Sequence, residues 1–310
     1  YQIDKLLSAY SVAQWSRTMF NNRALFADYF LENRLLETPE WHDNALPVYN
    51  RLSGLFANVR DRLGNAREEQ TRADLLEPIF RELGFKWTTR QSSGDEIQPD
   101  YVLTAGDTNP SSVYVLTYRW NRYLDGRDMA AADGFSDKTL DAQKYDDNPG
   151  ARVVSLLADE NAPAYVIVTN GKLWRLYARE AHSRATNYYE IDLEETLTDP
   201  DRDISIRYFW LFFRAQSYVV DIVTSAEAQT ACFLDRIMAG SEDYAKELEE
   251  RLKDRVFEQI FPQFAEGFIR NRWGTKTPTQ TELDTLYQAT LTFLYRIMFL
   301  LYAEARDLLP

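Results

Sequence analysis

The sequence predicts an α/β domain with a mixed sheet, set between helical segments, and three features carry that prediction. Apolar residues recur at three- and four-residue spacing toward both ends of the chain. Between residues 101 and 191, short β-branched and aromatic runs are separated by Gly, Pro, Asn and Asp. Helical spacing returns once inside that region, at Ala151 to Leu157, which is the interleaving an α/β unit requires. The boundaries implied are a helical arm over 1–66, the α/β domain over 67–200 and a helical connector over 201–310.

Taken in order, Asp4 to Met19 and Ala24 to Leu36 predict helices, and Pro39, Pro47 and the polar residues between them break the pattern. Thr71 is placed to cap a helix that carries Leu75, Leu76, Ile79, Phe80 and Leu83 on one face, with Gly84 positioned to end it in the left-handed region. Strands are expected at Tyr101 to Thr104, Val113 to Tyr118, Ala164 to Thr169, Lys172 to Tyr177 and Tyr188 to Ile191. Asn170-Gly171 predicts a two-residue hairpin turn, because both residues tolerate positive φ. Gly126 to Asp147 is charged and irregular and predicts a loop. Ile204 to Val220, Glu242 to Phe261 and Glu282 to Arg306 predict helices.

Composition excludes several classes. The 310 residues include 35 Lys and Arg against 48 Asp and Glu, a net charge of −13, which argues against a free-standing DNA binder that neutralises phosphates wherever it lands. A single Cys (Cys232) excludes a disulfide framework and a thiolate zinc site, and His42 and His182 stand in unrelated contexts. Ala289 to Ala303 carries Arg296 and falls short of the roughly 20 apolar residues that span a bilayer, so no membrane is expected. A cytoplasmic setting follows, and the absence of an initiator Met suggests a piece of a longer protein. There is no Gly-x-Gly loop, no Walker-type loop and no Asn-Pro-Pro-aromatic tetrapeptide, so no cofactor is expected in this chain.

Gln98-Pro99-Asp100-Tyr101 is the informative stretch. An Asp opening one strand, followed by a second strand with Glu-x-Lys, is how PD-(D/E)xK nucleases hold Mg²⁺ and activate water. Pro-Asp before a strand is by itself ordinary turn chemistry. Its neighbours here are the helix ending Leu83-Gly84-Phe85, then Arg119-Trp120-Asn121-Arg122-Tyr123-Leu124-Asp125, then Val168-Thr169-Asn170-Gly171-Lys172-Leu173-Trp174-Arg175-Leu176-Tyr177, then Tyr188-Tyr189-Glu190-Ile191-Asp192-Leu193, and finally Leu294-Tyr295-Arg296 running to Leu308-Leu309-Pro310.

This series resembles the N-terminal third of large type IIG restriction-modification enzymes and related phage-defence adenine methyltransferases. The resemblance implies a PD-(D/E)xK nuclease-like mixed sheet with flanking helices, then a helical connector, then a methyltransferase that uses S-adenosylmethionine and lies beyond this chain. Aligned on Arg119-Trp120, the family's metal-binding Glu falls on Leu116, its Lys on Tyr118 and a following Gln on Arg152. Asp100 and Glu69 are then relics of an acidic set, and a degenerate centre serving DNA engagement, docking or regulation is expected. Double-stranded DNA would be met by Arg119, Arg122, Arg127 and Arg152. Other partners implied are the chain's own methyltransferase and recognition domains and further defence-system subunits.

Two alternatives remain open. An active Mg²⁺ nuclease would recruit carboxylates from Glu69, Glu77, Asp95 or Glu96 around Asp100. A protein-interaction scaffold would account for the acidic charge and the aromatic helices. Asp141, Asp146 and Asp147 are weaker oxygen donors in a charged loop that is ordinarily just solvated. Trp174, Arg175 and Tyr177 have the chemistry to stack on bases, although alternation along a strand ordinarily buries such residues.

Overall fold

The computed structural model describes residues 19–90, 97–107, 110–128, 147–199, 201–220, 231–274 and 276–305. Two compact units are present, 1–242 and 243–310, rather than divisions near residues 66 and 200. The helix expected over Asp4 to Met19 lies, apart from Met19, outside the described residues, as do Asp95, Glu96, Asp141 and Asp146 and most of the loop expected over Gly126 to Asp147.

The first unit is an α/β fold on one seven-stranded mixed sheet. Its strands are β1 (Asn21–Asn22), β2 (Lys86–Thr89), β3 (Tyr101–Ala105), β4 (Ser111–Thr117), β5 (Tyr165–Thr169), β6 (Leu173–Ala178) and β7 (Tyr189–Asp192), in the order β1-β7-β6-β5-β4-β3-β2. β2, β3 and β4 form an antiparallel meander, and β4 pairs in parallel with β5. Helix α4 (Pro149–Leu156) carries the chain between that parallel pair, as a parallel pairing demands. β5 is buried at every position, the pattern of an inner strand covered on both faces.

The helices before β2 are α1 (Leu46–Leu63), α2 (Glu68–Thr71) and α3 (Glu77–Glu82), and those after β7 are α5 (Leu193–Thr198), α6 (Arg202–Phe213) and the start of α7 (Phe233–Asp254). Pro47 begins α1 rather than breaking a helix, because a first-turn proline gives up an N–H that has no partner there anyway. α2 and α3 are joined by a π-helical turn, Arg72–Leu76, just before Pro78. Proline has no N–H for the i−4 carbonyl and its ring crowds that carbonyl, so the wider turn admits it without ending the helix. The same device recurs as Arg255–Ile260 before Pro262. Thr71 is not a cap: the helix starts at Glu68, and the Thr71 hydroxyl donates to the Arg67 carbonyl.

Alternation sorts the sheet's side chains onto two faces. Toward α3 and α6, Trp174 is fully buried and packs edge-on to Phe80, Phe209 and Phe213. On the other face, Leu116, Tyr118, Val166, Val168 and Tyr177 pack with Val153, Leu156 and Leu157 of α4 and its end. The expected helical arm is therefore part of this unit: Asn21 and Asn22 pair with Glu190 and Tyr189, and Phe26 packs on Tyr189 and Phe212.

The β5–β6 turn also differs from expectation. Asn170 N–H donates to Leu173 O at 3.3 Å, so Gly171-Lys172 forms the tip and only Gly171 has positive φ, +85°. Asn170 uses its side chain instead: Oδ1 accepts from Lys172 N at 3.0 Å and Leu173 N at 2.7 Å.

The second unit contains the rest of α7, α8 (Phe261–Trp273) and α9 (Gln280–Ala305). Phe293 packs against Phe264 and Phe268 at 5.2 and 5.6 Å, joining α8 to α9. Thr279 and Glu282 cap α9 reciprocally, with Glu282 Oε2 accepting from Thr279 N at 2.8 Å. No helix among the described residues is long and apolar enough to cross a membrane.

Candidate functional site

The end of β4 meets the start of β3 and the first turn of α2, and three oxygen-bearing side chains converge there on one guanidinium. Asp100 precedes β3, and its Oδ2 accepts from Thr117 N at 2.7 Å, which fixes the carboxylate against the last residue of β4. Thr117 Oγ1 lies 3.3 Å from both Asp100 Oδ2 and Glu68 Oε1. Arg72 fills the space between them: Nη2 is 2.9 Å from Asp100 Oδ1 and in direct contact with Glu68 Oε1, and Nε donates to Thr117 Oγ1 at 2.7 Å. Burial opposes the Arg72 charge, but Asp100 and Glu68 more than offset it and hold the pKa above the ordinary arginine value.

Of the residues expected here, Asp100 is in place. Glu69 is exposed, and the helix turns its neighbour Glu68 inward instead. Leu116 and Tyr118 are fully buried on the opposite face, in the cluster with Val153, and burial pushes the Tyr118 phenol pKa up. The β4 side chain that meets the carboxylates is thus Thr117, one residue from the positions expected. Glu77 accepts from Tyr101 OH at 2.8 Å. The signal for the missed pair was the i, i+4 spacing of Glu68 and Arg72, which puts opposite charges on one helix face.

Mg²⁺ does not fit this arrangement. It requires about six oxygen ligands in octahedral geometry. Here a fixed cation stands between the two carboxylates, and the β4 face beside them offers one hydroxyl. Among the described residues no group of three or more His, Cys, Asp or Glu converges to hold a metal.

The arginines expected to meet DNA are engaged in the protein. Arg119 Nη2 is 2.8 Å from Asp128 Oδ2 in a nearly closed pair. Arg122 is 1 % exposed, lies over the Tyr118 ring and donates to the carbonyls of Tyr123, Gly126 and Asp147. Arg152 pairs with Asp147 at 2.8 Å and donates to Gln98 O. Arg127 is the exposed member of the set. Trp174, Arg175 and Tyr177 are interior, so none presents a face for stacking.

Comparison with known proteins gives no matching family model, no matching curated protein and no matching solved structure.

Proposed function

We propose that this chain is the N-terminal part of a restriction-modification or phage-defence DNA methyltransferase, with a PD-(D/E)xK-like domain that no longer cuts. Methylation from S-adenosylmethionine would belong to a domain outside the chain, and this part would serve DNA engagement, docking or regulation. The observation that carries the reading is Arg72 seated between Asp100 and Glu68, where a nuclease of this type would need a metal. Support also comes from the order of elements, a helix, a three-stranded meander, a helix and a fourth strand parallel to the third.

The test is supercoiled plasmid with Mg²⁺ or Mn²⁺, run beside a low-salt gel shift on duplex DNA. The expected result is a shift without nicking. Nicking that disappears in Asp100→Ala would establish the active-nuclease alternative instead.

A second reading, a scaffold for partner subunits, is favoured by α9. Tyr295, Phe299 and Tyr302 recur at helical spacing and are 58, 67 and 56 % exposed, a larger aromatic surface than an isolated helical unit needs to leave in water. A stable co-purifying subunit with no DNA shift would select it.

A further inference from the structure

We infer that Arg72 is a built-in counter-ion that closes a divalent-cation site formed by Glu68, Asp100 and Thr117. The inference stands on the contacts alone and holds whether or not the sheet is related to nucleases. One guanidinium lies within hydrogen-bond reach of all three oxygen-bearing groups, and those groups lie within reach of one another. Two carboxylates brought together this closely repel unless a positive charge stands between them. Arginine supplies that charge permanently, because its guanidinium does not lose its proton in proteins. It also fills the space a cation would use, with Nη2 and Nε directed at the oxygens a metal would bind.

Oxygen donors of this kind suit hard ions such as Mg²⁺, Mn²⁺ and Ca²⁺. The Glu68 and Asp100 side chains keep 15 and 12 % of their surface in water, so solvent can complete a coordination shell once the guanidinium is gone. The wild-type protein is then indifferent to divalent ions, and a single substitution makes it responsive.

The experiment is thermal melting and calorimetry of the full 310-residue chain with Mn²⁺, Mg²⁺ or EDTA. Wild type should show no binding heat and the same melting temperature in all three. Arg72→Ala should melt lower in EDTA and recover by about 2–4 °C in Mn²⁺. Guanidinium ion at millimolar concentration should give a similar recovery, and Arg72→Ala/Asp100→Asn should lose the response to Mn²⁺. Arg72→Gln, which keeps length and two N–H donors without the charge, should also gain Mn²⁺ binding.

Asp100-dependent Mn²⁺ binding by wild type would overturn the inference, because the arginine would then yield to the ion. So would folded Arg72→Ala and Arg72→Gln proteins that ignore Mn²⁺. If Arg72→Ala does not fold in EDTA, refolding on addition of Mn²⁺ supports the site, and failure to refold in Mn²⁺ overturns it.

Discussion

Arg175 of β6 and Glu190 of β7 are register partners across the sheet, and inside the protein the Arg175 Nε donates directly to Glu190 Oε2. Arg175 is 3 % exposed, its Nη1 reaches Asp125 Oδ1 at 2.8 Å, and its guanidinium lies 4.2 Å from the centre of the Tyr188 ring. Glu190 also accepts from Asn21 Nδ2 at 2.9 Å, so the pair ties β6, β7 and β1 together.

Removing one member strands the other charge. Arg175→Ala should lower unfolding free energy by about 3–5 kcal/mol, the range for breaking a buried ion pair. Replacing both with apolar residues, Arg175→Met/Glu190→Leu, should cost much less, because no unpaired charge remains. Urea denaturation midpoints of the three proteins check this, and an equal loss in the single and double variants would contradict it.

Gly171 and Gly64 should respond oppositely to alanine. A Cβ on Gly171 would stand 2.9 Å from Trp120 Cε3 and 3.0 Å from Leu75 Cδ2, at a φ of +85° that disfavours L-residues. Gly171→Ala should cost about 2 kcal/mol or more. Gly64 ends α1 at φ −58° with open space around it, so Gly64→Ala should be neutral or stabilise by up to about 1 kcal/mol. Thermal melts of both variants distinguish a local strain from a general intolerance of substitution.

Cys232 is buried, and burial pushes its thiol pKa up to about 12. An aromatic disulfide reagent at pH 8 should label it slowly in the native protein and quickly in urea. The folded pKa lies above the unfolded value of about 8.5, so this stabilisation is complete below about pH 8.5 and is lost as pH rises toward 12. Cys232→Ser should therefore lose stability less steeply than wild type between about pH 8.5 and 10, by up to ~1.4 kcal/mol per pH unit. Parallel slopes would show that the thiol does not contribute.

Arg122 and Arg127 separate fold from DNA engagement. Arg122→Ala removes three donors to loop carbonyls and should cost about 2–4 kcal/mol in stability, with no change in the salt dependence of any DNA binding. Arg127→Ala should leave stability within about 0.5 kcal/mol and lower the log–log salt slope by about 1 if Arg127 meets a phosphate. Gel shifts over a salt series read the slope, and urea titration reads the stability.

Much of the sheet was legible because buried strands advertise themselves. β5 is Tyr-Val-Ile-Val-Thr, and Gly84 adopts the φ of +87° that its place after a helix implies. β2, Lys-Trp-Thr-Thr, was not legible, since an edge strand with little burial lacks the apolar alternation that marks the others. β1 consists of two asparagines and is a strand only because β7 pairs with it.

The centre was half legible for a geometric reason. Asp100 follows from the Pro-Asp strand start, but neighbouring residues on a helix point about 100° apart and neighbours on a strand point to opposite faces. An error of one residue therefore exchanges Glu69 for Glu68 and Leu116 or Tyr118 for Thr117. Arg72 escaped because a search for metal ligands looks for acids, and a cation among them is visible only once the backbone brings it there.

The pairing of Asn21 and Asn22 with Glu190 and Tyr189 sets an order of events during synthesis. These asparagines leave the ribosome well over a hundred residues before their partners and cannot complete the sheet edge until β7 has emerged. For that interval Phe26 also lacks Tyr189 and Phe212, the rings it packs against in the finished fold. The N-terminal segment is therefore the part of this unit most in need of shielding by a chaperone while translation proceeds, and the final closure of the sheet is a late, long-range step.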